Sequence, residues 1–202
     1  MAVHRIAEAI EVDRPRHFPQ SAVTPHQRGD FLFLCVKDSN FRLKNMDEPK
    51  DVLRVFVLGD THNRLPDGVK EMAKRADEIW HLGDVCAEAI LEELRAIGPR
   101  VIVVRGNCDT NIEWPLVLDL VREGLKLRLQ HVPPDRPPDD VDVLLHAHTH
   151  VPRNERRGSV LLLNPGCVTR PNRGAPPSVA WLEIVDGKIS WKLVSLHTSL
   201  SF

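Results

Sequence analysis

Aromatic residues make up only 5% of the 202-residue chain, and tyrosine is absent. Stacking platforms are therefore scarce, and 27 basic against 28 acidic residues leave a net charge of -1, so no electrostatic groove compensates. Neither feature suits binding to single-stranded nucleic acid. The same balance provides no global field to recruit an anionic membrane, so any anionic substrate must be captured locally. Cysteine is sparse as well: Cys35, Cys86, Cys108 and Cys167 lie far apart with no C-x-x-C pair. That usage fits reduced thiols and a cytoplasmic location better than a disulfide framework. No apolar stretch approaches the roughly 20 residues of a membrane span, and the N-terminus lacks the run of about 7 or more apolar residues that marks a secretory signal.

What remains is an ordinary hydrophobic fraction of 42% in a chain long enough to bury a substantial core, which predicts one folded domain with an irregular leader. Residues 1–45 mix Pro, Arg, Gln and Asp without a sustained period. Their one apolar run, residues 31–36, is strand-length but has no evident partner. This segment is expected to be poorly packed and dispensable, either disordered or a gene-model extension with Met46 as the true start; an interaction arm or an added edge strand is the rival reading. Residues 46–202 form the expected domain. There, residues 53–58, 79–82 and 101–104 read as buried strands separated by helices at 66–76 and 85–97, a βαβαβ pattern with a parallel sheet. The second half turns strand-rich, at residues 125–130, 141–145, 160–163, 179–185 and 188–194, with Asp186-Gly187 as a two-residue hairpin signal. Two sheets packed face to face, with helices outside, accommodate this order.

Five polar clusters arrive at the ends of apolar runs: Gly59-Asp60-Thr61-His62, Gly83-Asp84, Gly106-Asn107-Cys108-Asp109, His131 and His148-Thr149-His150. Asp, His and Asn are the donors that hold divalent ions, and seven of them from five segments is what a pair of adjacent ions requires. Ligands bind at the carboxyl ends of strands in open α/β sheets, so the clusters should converge. Donors two residues apart in Asp60-Thr61-His62 and His148-Thr149-His150 can share one side of extended backbone. Taken singly, Gly-Asp and Gly-Asn are ordinary turns, and a lone histidine at a strand end is ordinarily a satisfied polar residue. Their joint occurrence, in order, favours metal binding. His81 and His146 sit inside apolar strands just before better ligands and are assigned supporting or packing roles. His4, His17, His26 and His197 receive none.

The series G-D-T-H, H-L-G-D-V, G-N-C-D, H, H-T-H and N-P-G, from Leu53 to Leu196, resembles the calcineurin-like metallophosphoesterases, and in its compactness their small bacterial and archaeal phosphodiesterase branch. The resemblance implies a four-layer αββα sandwich of two mixed β-sheets flanked by helices. It further implies two divalent metals: Asp60, His62 and His150 on one, Asn107, His131 and His148 on the other, and Asp84 bridging. Oxygen and imidazole donors suit Mn²⁺, with Ni²⁺, Co²⁺, Fe²⁺ or Zn²⁺ as alternatives. The implied activity is hydrolysis of a small or nucleotide-like phosphodiester by a metal-activated hydroxide, with Asp60, His62, Asp84, Asn107 and His148 carrying the chemistry. Asn107 and Cys108 would contact substrate. Cys108 stands where many relatives carry a histidine able to protonate the leaving group, so activated diesters should react better than alkyl monoesters. Arg170 and Arg173, after the N-P-G-C loop, are candidate phosphate holders or else solvated loop arginines. Ala147 and Val132 replace customary glycines; a positive φ at Ala147 would cost of order 1 kcal/mol. The same branch contains a retromer subunit that uses the fold as a protein-binding scaffold, which is the alternative function. Retention of all seven ligands, His150 included, favours the enzyme.

Overall fold

The computed structural model describes residues 9–10 and 52–196. Two mixed sheets face each other. The first runs in the order β1(Ala9–Ile10), β11(Lys188–Ser195), β10(Ser178–Val185), β2(Leu53–Leu58), β3(Glu78–His81), β4(Arg100–Val103), with β2, β3 and β4 parallel. The second runs β5(Val117–Arg122), β6(Leu125–Gln130), β7(Val143–Leu145), β9(Val160–Asn164), β8(Arg153–Arg157), with β6, β7 and β9 parallel. The parallel strands of the first half are joined by α1(Asp67–Ala73) and α2(Glu88–Ala96), which gives the expected βαβαβ unit.

Period-2 alternation explains the layering. Val55 and Val57 of β2 point into the core between the sheets, against Leu127 and Leu129 of β6, Leu145 of β7 and Leu163 of β9. Their neighbours Phe56 and Leu58 point outward and pack on Val69 and Ala73 of α1 and Leu91 and Leu94 of α2. The outer face of the second sheet carries a smaller cluster of Val141, Leu144, Val160 and Leu162. Helices are shorter than the sequence suggests. Pro66 is extended at the first helix's N-cap, and residues 85–87 belong to a loop, with the second helix capped by extended Ala87.

Besides β1, two strands escape the sequence reading. β8 reads Arg-Asn-Glu-Arg-Arg and has no apolar face; it exists because β9 supplies an antiparallel ladder at the sheet edge. β5 alternates between exposed and half-buried along the opposite edge, joined to β6 by Glu123-Gly124 with φ of 47° and 78°. Asp186-Gly187, with φ of 50° and 73°, closes the β10–β11 hairpin as its sequence indicates. Of the leader, only Ala9–Ile10 is described, paired antiparallel with Ser190 and Ile189 of β11. The rest of residues 1–45, including the apolar run at 31–36, lies outside the described residues.

Candidate metal centre

The five clusters follow the carboxyl ends of β2, β3 and β4 in one sheet and, in the other, of the parallel strands β6 and β7. The sheets approach closely here. A Cβ on Gly59, after β2, would lie 2.9 Å from the Cβ of Ala147, after β7. Ala147 itself is buried and does not adopt a positive φ, so the strain contemplated for it does not arise. Gly106 is needed for space: a Cβ there would lie 2.2 Å from both the backbone nitrogen and Oδ1 of Asp84.

Backbone conformation differs from the sequence-based expectation. Asp60, His62, Asp84, His148 and His150 have φ of 55°, 43°, 55°, 67° and 59°, so the paired donors turn inward through left-handed residues rather than along extended backbone. Asp, Asn and His are enriched there among non-glycine residues, and such strain gathers at ligand clamps. Thr61 does not point to solvent; its buried hydroxyl meets Nε2 of His81 at 3.0 Å.

The seven candidate donors come together. Nε2 of His150 lies 3.3 Å from Oδ1 of Asp60 and 3.4 Å from Nε2 of His62, and Nε2 of His62 is 3.9 Å from Oδ2 of Asp84. On the other side, Oδ1 of Asn107 is 2.9 Å from Nε2 of His131 and 2.8 Å from Nδ1 of His148. Nε2 of His131 is 3.4 Å from Oδ1 of Asp84. Asp84 thus turns one oxygen toward each group.

Two of the imidazoles are oriented by backbone carbonyls. The Nδ1–H of His131 donates to Leu82 at 2.8 Å, and that of His150 donates to Arg170 at 2.5 Å. With the proton on Nδ1, a neutral ring turns its Nε2 lone pair into the centre, toward other acceptors, a mismatch that either a metal ion or a second ring proton relieves. Asp60 compounds the mismatch, because it is buried and neither carboxylate oxygen has a hydrogen-bond partner. An orphaned carboxylate facing imidazole lone pairs is what a cation would satisfy, so the donor set fits divalent metal.

Charge follows burial and neighbours. Burial pushes the Asp60 carboxyl up to about 6, against the pull of His131 and His150. Asp84 is held below the usual carboxylate range: burial acts the other way, but His131 and the Cys108 amide, 2.8 Å from Oδ1, outweigh it. Burial lowers His62, with the nearby Arg170 guanidinium adding to the effect, and lowers His148. Burial also disfavours charge on His131, but the Asp84 hydrogen bond and the Asp60 carboxylate raise it overall.

The candidate substrate residues are placed variously. Asn107, Cys108, Arg170 and Arg173 are exposed at the mouth. Arg173 lines, with His146, His148 and Arg153, a cleft of about 480 Å³. Cys108 acts on Asp84 through its backbone, while its thiol is held up by burial and by Asp84. His81 and His146 are buried supports, pushed down by burial to about 3 and about 4.

Two supporting residues have no role in the sequence reading. Asp109 accepts the backbone N–H groups of Asp84 at 3.0 Å, Cys86 at 2.7 Å and Gly106 at 2.7 Å, tying the β3 loop to the β4 loop. Asn164 donates to the carbonyl of Ala147 at 3.1 Å and accepts from the Gly166 amide at 2.7 Å, joining the H-T-H and N-P-G loops. Both fall inside motifs that the sequence displays, so the signal was position within a motif rather than spacing.

Residues 53–187 match the family model of the calcineurin-like phosphoesterase superfamily domain. Over 163 residues the chain is 30% identical to phosphodiesterase YfcE of Escherichia coli (strain K12), covering 65% of this chain and 88% of that protein. A solved structure of the E. coli phosphoesterase Yfce aligns with a TM-score of 0.58 at 26% identity, covering 71% of this chain and all of the other. Vacuolar protein sorting 29 of Cryptosporidium parvum shares the fold at a TM-score of 0.62 and 24% identity, covering 73% of this chain and 93% of that one. Through the extent of that family match, over the strands that deliver all seven donors, the chain belongs to the calcineurin-like phosphoesterase superfamily.

Proposed function

We propose that the protein is a metal-dependent phosphodiesterase that hydrolyses a small or nucleotide-like phosphodiester. The observation that carries this reading is the buried, partnerless carboxylate of Asp60 among imidazoles whose lone pairs face it. Asp60, His62 and His150 would hold one divalent ion and Asn107, His131 and His148 the other, with Asp84 shared. Mn²⁺ is the expected metal. Two such ions would supply Lewis-acid polarisation of the phosphate and an activated water.

The chain's own groups do the rest. Asp84 stays ionised through its contacts with His131 and the Cys108 amide, so its two oxygens remain acceptors at neutral pH. Asn107 contributes a neutral oxygen, which leaves net positive charge for an anionic substrate. Arg170 and Arg173 stand at the exposed side, where a phosphate enters past Asn107 and His148. No imidazole occupies position 108, so an alkoxide leaving group finds no evident proton donor there, and leaving groups that depart as stable anions are favoured.

A second reading, a protein-binding scaffold, draws on the structural likeness to vacuolar protein sorting 29 and on exposed Ile112, Leu116, Val117 and Val121 near β5. One experiment separates the two. Purified full-length protein is analysed for metal, supplied with Mn²⁺, and assayed on an activated aryl phosphodiester and an alkyl monoester. The enzyme binds close to two ions and hydrolyses the diester in preference. Folded protein that loads metal but hydrolyses neither ester would overturn the phosphodiesterase reading and favour the scaffold.

A further inference from the structure

The hydrolytic donor set uses one edge of the His62 ring. Its Nε2 faces His150 and Asp84, but its Nδ1 faces the other way, 3.6 Å from the Sγ of Cys86. The thiol of Cys108 completes a triangle: one ligand atom from each of His62, Cys86 and Cys108 lies within 4.8 Å of the others. We propose that His62 Nδ1, Cys86 Sγ and Cys108 Sγ form a second metal site, which takes a thiophilic divalent cation of the Zn²⁺ or Cd²⁺ class beside the oxygen-and-imidazole centre.

Geometry and chemistry agree. Metal–sulfur and metal–nitrogen bonds of about 2.3 and 2.0 to 2.1 Å at a tetrahedral angle place sulfur and nitrogen about 3.6 Å apart. That is the observed separation of Cys86 and His62. Two sulfurs and one imidazole make a soft donor set that discriminates against Mn²⁺ and Mg²⁺, unlike the neighbouring carboxylates and amide oxygen.

The backbone is already committed to this arrangement. Cys86 is held at φ 67°, with its N–H donated to Oδ1 of Asp109 at 2.7 Å, and the N–H of Cys108 is fixed on Asp84 at 2.8 Å. A left-handed conformation at cysteine persists only where the surroundings impose it, and here it turns the side chain toward His62. Cys86 is half-buried and Cys108 exposed, so a solvent molecule or a small thiol could fill the fourth position. On binding, the two thiol protons pass to solvent; with the thiol site alone filled the His62 proton stays on Nε2, and with both centres filled that proton is released too and the ring bridges them as imidazolate. Because one imidazole serves both sites, filling the thiol site alters the charge presented by the other. The site does not depend on the phosphodiesterase reading, and its test does not use hydrolysis.

Metal-free full-length protein, kept reduced with a phosphine, is titrated with Cd²⁺ while the ultraviolet thiolate-to-cadmium charge-transfer absorption is followed. The expected result is saturation at a single equivalent, with the amplitude lost in Cys86→Ser and in Cys108→Ser, kept in a Cys35→Ser/Cys167→Ser variant, and not displaced by excess Mn²⁺. Full amplitude in a Cys86→Ser/Cys108→Ser variant, or no absorption in the wild type, would overturn the proposal. Wild-type protein supplies a second measurement that needs no variant to fold. With Cd²⁺ bound, Cys86 and Cys108 should alkylate about tenfold more slowly by N-ethylmaleimide, read by peptide mass spectrometry. Unchanged alkylation rates at both residues would refute the site.

Discussion

At Asp60, burial and charge conflict: a carboxylate removed from water and given no hydrogen bond costs several kcal/mol unless a cation or a proton answers it. Asp84 next to it is the residue on which both ligand groups depend, because it turns a different oxygen toward each, Oδ2 to His62 and Oδ1 to His131. Asp84→Ala is therefore expected to abolish hydrolysis and to load less than half the wild-type metal, measured by elemental analysis, while folding is retained. Full activity in that variant would refute a shared ligand. His146→Ala should be far milder, since His146 bonds to Ala147 and Asn164 rather than to the centre. His81 makes a pH prediction. Burial holds its imidazole at about 3 in the folded chain, against an ordinary 6.5, so the folded state refuses a proton that the unfolded state accepts. Its contribution is complete above about pH 6.5 and is lost as the pH falls from there toward 3. Urea unfolding of metal-free protein at pH 7 and pH 5 should show this loss, and His81→Gln should reduce it, leaving the part that His146, also lowered by burial, carries with the same sign. Equal pH dependence in both proteins would mean that His81 does not carry it.

Elements differ in how plainly the sequence announces them. The buried strands β2 and β9 are legible as apolar runs because both of their environments reward the same residues, β6 is legible as a period-2 alternation with one face buried, and the parallel order follows from the helices between β2, β3 and β4. β8 was illegible because an all-polar edge strand is specified by its partner β9, not by its own residues. The left-handed loops were invisible too: Asp and His tolerate positive φ without requiring it, so spacing alone suggested extended backbone. What joins those loops is Asp109, whose carboxylate takes three backbone N–H groups from the β3 and β4 turns. Removing it would strand those donors at about 1 to 3 kcal/mol for each one that water cannot reach. Asp109→Ala should therefore lower metal affinity and thermal stability together although Asp109 is not one of the seven donors, and Asp109→Asn, which keeps one acceptor oxygen, should fall between. Wild-type metal affinity in Asp109→Ala would show that the loops hold their shape unaided.

Across the whole molecule, every candidate donor and every strand that delivers one lies after residue 52. The leader's described contribution is the pairing of Ala9–Ile10 with β11, which makes β1 rather than β11 the edge of its sheet. Two considerations set the size of this effect. Backbone hydrogen bonds contribute about 0.5 to 1.5 kcal/mol each, and ordering each residue that makes them costs about 1 to 2 kcal/mol, so a two-residue strand gains little net stability. A chain beginning at Met46 should thus keep wild-type metal content and turnover, and its melting temperature should fall by no more than about 2 to 4 °C, the shift produced by 1 kcal/mol in a domain of this size. The uncovered β11 edge has a different consequence: an unpaired ladder in water invites a second chain, so the shortened protein should associate more readily at high concentration, as light scattering would reveal. A fall in melting temperature beyond about 10 °C, several times what one marginal strand can supply, would mean that residues 1–45 stabilise the domain through far more than this pairing.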